Sequence, residues 1–128
     1  MSRVLIVDDA QEIRIMLSAM IGVTGHIAEE AHSGLAALQM LHKQPYDLVL
    51  LDIRMPGLDG LDVLATLRAA PPKHVPRVVI MTASPDEQVE RRAMRELGAE
   101  AFYDKLNLTP DVVESLLKAP PASQRFVA

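Results

Sequence analysis

Val4-Leu5-Ile6-Val7 running into Asp8-Asp9, and Leu48-Val49-Leu50-Leu51 running into Asp52, are the stretches on which the fold turns. Continuous apolar runs this short read as strands of a parallel sheet buried on both faces. Two further runs repeat the arrangement: Val78-Val79-Ile80-Met81 leads to Thr82, and Ala101-Phe102-Tyr103-Asp104 leads to Lys105. Parallel strands share a direction, so their C-terminal ends lie along one edge of the sheet. Three carboxylates, a hydroxyl and an ammonium therefore converge at the edge where open α/β sheets bind ligands.

Helical patterns separate the strands. Ile13, Met16, Leu17, Met20 and Ile21 make one apolar stripe, and Asp9 with Glu12 has the spacing of an N-terminal cap. Gly22 and Gly25 bracket the helix exit. His26 to Ala31 is a more polar strand, expected at the sheet edge. Ser33-Gly34 opens a second helix carrying Leu35, Leu38 and Leu41, and Pro45 closes it. After the Asp47–Asp52 strand, Met55-Pro56-Gly57-Leu58-Asp59-Gly60 is a turn-rich loop, and Leu61, Leu64 and Leu67 mark a third helix. Arg77–Thr82 is a strand. Ser84-Pro85-Asp86-Glu87 reads as a helix start with Ser84 as cap and Pro85 at the first helical position. Val89, Ala93, Met94 and Leu97 form its buried face, and Gly98 suits its left-handed end. A last strand over about 100–104 precedes a helix capped by Thr109-Pro110, with Val112 or Val113, Leu116 and Leu117 inward. Five strands alternating with five helices, joined by right-handed crossovers, make an α/β three-layer sandwich.

The chain has 128 residues, one domain's worth, and 49% of them are hydrophobic. The domain is expected over residues 1–119, with a flexible tail over 120–128. That tail also reads as the start of a linker in a longer protein. A net charge of −4 with scattered cations lacks the basic footprint of a nucleic-acid binder. No run approaches the roughly 20 apolar residues of a membrane span, and the N-terminus enters a strand at once, without a signal-peptide pattern. Cysteine is absent, which excludes disulfide and thiolate chemistry and agrees with a cytoplasmic setting. The four histidines stand apart at 26, 32, 42 and 74, without metal-site spacing. Arg91, Arg92 and Arg95 read as a solvated helix face, and the methionines as core filler.

Carboxylates about 4 Å apart repel by roughly 4 kcal/mol at an effective dielectric near 20. Asp8, Asp9 and Asp52 therefore need compensation, which Lys105 and a divalent cation supply. Oxygen ligands without sulfur favour Mg²⁺, with Mn²⁺ as a second choice, over Zn²⁺. This set suits phosphoryl transfer, in which positioning and charge stabilise the transition state. Asp52, at the end of the most apolar run, is the candidate nucleophile for an aspartyl phosphate. Lys105 and the cation can neutralise two phosphoryl oxygens, and Thr82 can donate to the third only in the modified state. Such state-specific contacts make a switch.

In this order the residues resemble the receiver domain of two-component response regulators. The matching features are Asp8-Asp9, Asp52, Met55-Pro56-Gly57 with Asp59-Gly60, Thr82-Ala83, and Lys105 after Gly98-Ala99, across about residues 3–118. The resemblance implies a flavodoxin-like sheet of strand order 2-1-3-4-5. It implies that Asp52 accepts a phosphoryl group from a histidine kinase or a phosphotransfer protein. It further implies that Asp9, Asp52 and the backbone carbonyl of Arg54 ligate Mg²⁺, with Asp8 acting largely through water. Phe102 falls on the family's aromatic switch position, where it would reorient with Thr82. A downstream protein target, docking near the fourth helix, fifth strand and fifth helix, and a monomer or weak dimer, are expected. In one departure, Leu106 replaces the proline that usually follows the lysine, often across a cis bond. A non-proline cis bond costs about 2.5–4 kcal/mol, so a trans bond and a different loop shape are expected.

Two other classes of function compete. A hydrolase of the haloacid-dehalogenase type also forms an aspartyl phosphate. Its D-x-D-x-T motif follows the first strand, whereas Asp52-Ile53-Arg54 lacks the second acid and follows the third. A flavin module on the same fold needs a Ser/Thr/Gly-rich phosphate loop after the first strand, where Asp8-Asp9 would repel phosphate.

Overall fold

Each strand divides its residues between two apolar clusters, because successive side chains point to opposite faces of a sheet. The computed structural model describes residues 1–118. Strands β1 (Arg3–Val7), β2 (Ile27–Ala31), β3 (Leu48–Asp52), β4 (Arg77–Thr82) and β5 (Ala101–Asp104) form one parallel sheet in the order β2-β1-β3-β4-β5. That is the expected flavodoxin-like order, with the polar strand β2 at an edge.

On one face, Leu5, Val7, Val49, Leu51, Val78 and Ile80 pack against helices α2 (Gly34–Lys43), α3 (Gly60–Ala69) and the segment that begins with α4 (Glu87–Arg91). On the other, Val4, Ile6, Leu48, Leu50, Val79 and Met81 pack against α1 (Gln11–Gly22) and α5 (Pro110–Lys118). Full burial of each large aliphatic side chain contributes about 1.5–3 kcal/mol, so the sheet anchors both layers of helices. The polar strand ends are held on this scaffold.

Several local expectations change. Asp9 does not cap α1: the N-cap is Ala10, without a side-chain cap. The helix begins at Gln11, one residue later than an Asp9 cap requires, and the Asp9 carboxylate stays exposed. Helix α2 does have the Ser33 cap, whose Oγ accepts from the Ala36 amide at 3.1 Å, but Leu35 is 59% exposed. Its buried face is Gly34, Ala37 and Leu41. A side chain at Gly34 would meet the Leu58 carbonyl oxygen at 2.7 Å, so the close approach of the β3–α3 loop, rather than the leucine spacing, sets the roll of this helix.

The α4 segment departs most. Its cap is Asp86, not Ser84, with Oδ1 accepting from the Gln88 and Val89 amides at 2.9 and 3.2 Å. Ser84 is instead tied to the end of β4, its amide donating to Thr82 Oγ1 at 3.2 Å. After five α-helical residues the chain widens into a π-helical turn over Arg92–Glu96, where the Leu97 amide donates to the Arg92 carbonyl at 3.0 Å. Arg68 of α3 satisfies the carbonyls that this end leaves open, donating to Leu97 at 2.6 Å and to Gly98 at 3.0 Å. Thr109 caps α5 as expected, through the Val112 amide at 3.3 Å. No cis peptide bond occurs among the described residues, so Lys105–Leu106 is trans. The tail over 120–128, and with it the boundary at 119, lies outside the described residues.

Candidate functional site

Register brings the polar strand ends together. Val7 pairs with Leu51 and with Ala31, Asp52 pairs with Met81, and Thr82 pairs with Asp104. One step beyond these rungs stand Asp8, at the end of the first strand, and Lys105, at the end of the fifth. Asp8 is fully buried and Asp52 is 2% exposed, while Asp9 lies at the surface.

Three carboxylates gather there. One oxygen from each of Asp8, Asp9 and Asp52 can be chosen so that all lie within 4.8 Å of one another. Lys105 Nζ sits 2.7 Å from Asp8 Oδ2 and 3.3 Å from Asp52 Oδ2. Asp8 Oδ1 accepts from the Ala10 amide at 2.9 Å, an Asx turn. Asp8 Oδ2 has the ammonium as ion partner but no hydrogen bond of good angle. The Asp52 carboxylate accepts from the Arg54 amide at 3.3 Å through Oδ1.

Burial, and then the Asp8 charge, push the pKa of Asp52 up from 3.8 to about 6, against the opposing pull of Lys105. Burial by itself would lower the pKa of Lys105, but the contact with Asp8 and the charges of both aspartates outweigh it and the pKa is raised. At neutral pH the site holds a charged lysine and more negative charge than that lysine balances. A buried carboxylate oxygen without a well-aligned donor, and three hard oxygen donors at one edge, fit a hard divalent cation. They fit neither a flavin phosphate nor zinc.

Thr82 is buried at the end of β4, its oxygen already accepting from Ser84, which leaves its own hydrogen free to donate. Phe102 is half-buried and packs against the α2–α3–α4 core face. Arg54 is exposed on the loop after β3. The structure thus unites Asp8, Asp9, Asp52 and Lys105 and places Thr82 on the same sheet edge, with Phe102 within β5 and beneath that edge.

Two residues that sequence reasoning left out of the site also belong to its surroundings. Gly60 opens α3, its amide donating to the Ile53 carbonyl at 2.9 Å. A side chain there would collide with the Asp52 carbonyl oxygen and come within 2.8 Å of Ile53 Cα. Its signals were its place in a turn-rich loop and the Asp59-Gly60 pair of the family resemblance, neither of which gave it a role beside Asp52. Arg14 of α1 donates from Nη1 to the Asp8 carbonyl at 2.7 Å, and nothing in its sequence spacing marks it.

The sequence profile of the response regulator receiver domain matches residues 4–116. The chain belongs to this family. Sporulation initiation phosphotransferase F of Bacillus subtilis is 37% identical over 103 residues, covering 80% of this chain and 81% of that protein. The transcriptional regulatory protein CpxR homolog of Haemophilus influenzae is 40% identical over 105 residues, 82% of this chain but only 44% of the relative. The chain thus spans most of one curated relative and less than half of the other. Among solved structures, the response regulator protein TrrA from Thermotoga maritima, in complex with Mg²⁺ and BeF, superposes with a TM-score of 0.78 at 30% identity. That match covers 92% of this chain and 98% of that one.

Receiver domains are the signalling switches of two-component systems, bind Mg²⁺ at an acidic pocket, and interact with histidine kinases or phosphotransfer proteins. This receiver domain has such a pocket in Asp8, Asp9 and Asp52. Among its described residues, no helix is long and apolar enough to cross a membrane.

Proposed function

We propose that this receiver domain takes a phosphoryl group onto Asp52 from a phosphohistidine of a histidine kinase or phosphotransfer protein, in a Mg²⁺-dependent reaction, and thereby changes what it binds. The observation that supports this most is the single cluster of Asp8, Asp9, Asp52 and Lys105 at the C-terminal sheet edge.

The carboxylate of Asp52 is the nucleophile. Its oxygen forms a bond to phosphorus as the bond from phosphorus to the imidazole nitrogen breaks, and the imidazole leaves. A pKa near 6 keeps Asp52 mostly ionised at neutral pH while making it more basic than an ordinary aspartate. The Arg54 amide holds Oδ1 of that carboxylate and orients it. Asp9, Asp52 and the Arg54 carbonyl would hold Mg²⁺, with Asp8 acting largely through water. Bound there, the cation supplies positive charge against the phosphoryl oxygens. Lys105 neutralises one oxygen, and the free hydrogen of Thr82 serves another.

In the unmodified state the Thr82 oxygen is occupied by the Ser84 amide. A Thr82 drawn toward a phosphoryl group pulls on the segment leading to Asp86 and α4, and Phe102 repacks beside it. The signal then passes to a downstream protein rather than to nucleic acid. In this reading the domain works through protein contact, as a monomer or weak dimer in the cytoplasm.

Acetyl phosphate or beryllofluoride with Mg²⁺ tests the assignment. Wild type should label or respond, and Asp52→Asn should not. Equal response of the variant overturns the assignment of Asp52. Sustained turnover of a generic phosphomonoester would instead identify a hydrolase.

A further inference from the structure

Asp8 is held at its amide, its carbonyl and one carboxylate oxygen, its other oxygen meets only an ammonium, and one of its holders lies outside the pocket. Its amide donates to the Ala31 carbonyl of β2 at 3.2 Å, Oδ1 accepts from the Ala10 amide, and Oδ2 faces Lys105. Its carbonyl oxygen accepts from Arg14 Nη1 at 2.7 Å. That carbonyl belongs to the peptide plane joining Asp8 to Asp9. The plane's orientation sets where the chain carries Asp9, whose carboxylate is exposed and makes no helix cap.

The guanidinium is itself fixed. Arg14 Nε pairs with Glu30 Oε1 of β2 at 3.2 Å, and Glu30 Oε2 accepts from Ser18 Oγ, one helical turn further along α1, also at 3.2 Å. The Arg14 side chain is only 14% exposed, although it lies on a helix that faces solvent. A planar fork with several fixed donors can bond a carbonyl and a carboxylate at once, whereas a lysine ammonium lacks that preset geometry.

We propose that Arg14 is a positioning residue for the cation site: by holding the Asp8 carbonyl, and being held by Glu30, it sets the peptide plane that aims Asp8 and Asp9 at a shared Mg²⁺. This inference rests on the reading of the acidic cluster as that ion's site. Partners of metal ligands typically change metal affinity about 10–100-fold when removed.

The sign of the effect separates positioning from charge. Arg14 is a cation near an acidic pocket, so through charge alone its removal would tighten Mg²⁺ binding. Loss of positioning weakens it.

The experiment uses Arg14→Met, which keeps the aliphatic stem, and Arg14→Lys, which keeps the charge. Mg²⁺ binding is measured by calorimetry at one ionic strength, with folding checked by circular dichroism in EDTA. The metal-free protein is examined by NMR for the Asp8 carbonyl carbon and Asp9 amide signals, which report the hydrogen bond directly. Arg14→Met should bind Mg²⁺ about tenfold more weakly, Arg14→Lys should fall between it and wild type, and both should shift those two signals without the ion. Equal or tighter binding by Arg14→Met, with the signals unmoved, overturns the proposal. If Arg14→Met does not fold, Arg14→Lys decides, and wild-type affinity with unmoved signals has the same force. A wild type that binds no Mg²⁺ refutes the reading of the pocket itself, and the metal-free signals still decide whether Arg14 holds the turn.

Discussion

Lys105 Nζ lies 2.7 Å from Asp8 Oδ2 and 3.3 Å from Asp52 Oδ2, so the ammonium is nearer to the acid that is not the proposed nucleophile. The geometry explains an asymmetry in the site. Asp8, fully buried, has its countercharge in contact. Asp52, nearly as buried, is left with the weaker share, and its pKa rises to about 6.

Lys105→Met should therefore destabilise the metal-free protein at pH 7, by about 3–5 kcal/mol, the usual cost of stranding one partner of a buried pair. With the ammonium gone, a cause that lowers the Asp52 pKa is lost, so that pKa climbs above 6. The destabilisation should shrink toward pH 4, where the Asp52 carboxylate has taken up its proton. Urea denaturation at the two pH values checks this. An equal loss at both would argue for a packing role.

Asp52→Asn should stabilise the metal-free protein at pH 7 by about 1–2 kcal/mol while abolishing phosphorylation. The sign follows from linkage. Asp52 titrates near 3.8 when unfolded and near 6 when folded. Between those values the folded state binds more protons, so wild-type stability falls as pH rises from about 4 to about 6. The variant lacks that fall, and the two proteins should converge below pH 4. Thermal melts in EDTA across this range are the measurement, and a variant less stable at pH 7 would contradict it.

Mg²⁺ should raise the melting temperature of wild type, and EDTA should reverse the rise. At 100 times the dissociation constant, linkage gives about 2.7 kcal/mol. Asp52→Asn should show a smaller shift, and Asp9→Asn smaller still if the exposed carboxylate is a direct ligand. Melts against Mg²⁺ concentration at constant ionic strength distinguish specific binding from screening.

Gly60→Ala should cost about 1–3 kcal/mol, the range for overpacking, and should slow phosphorylation as well. The added carbon would strike the Asp52 backbone, so relief of the clash moves the nucleophile. Gly34→Ala is the comparison: its clash falls on Leu58 and Val63, away from Asp52. It should lower stability similarly and leave acetyl-phosphate labelling of the surviving folded protein near wild type.

Much of this molecule was legible in advance, for reasons that are local. Four short runs with polar endings identify parallel strands because burial on both faces demands unbroken apolar sequence. The Ser33 and Thr109 caps were readable because each bonds an amide within three residues. At the start of α4 spacing pointed to Ser84, and Asp86 caps instead. Thr82 binds the Ser84 amide, a contact that depends on how β4 ends. Leucine spacing alone did not show that Leu35 would be exposed, because it ignores what lies opposite, here the Leu58 backbone pressed on Gly34.

By itself the amino-acid order determined the alternation of strand and helix, the parallel sheet, and which reactive residues stand at strand ends, because period-two burial and capping act over a few residues. Only the tertiary structure decided that Lys105 sits closer to Asp8 than to Asp52, that Arg14 reaches the Asp8 carbonyl, and that Arg68 closes the π-helical turn after α4. Those choices depend on how the helices and strand ends seat against one another. They are settled when the core packs, not by any local preference.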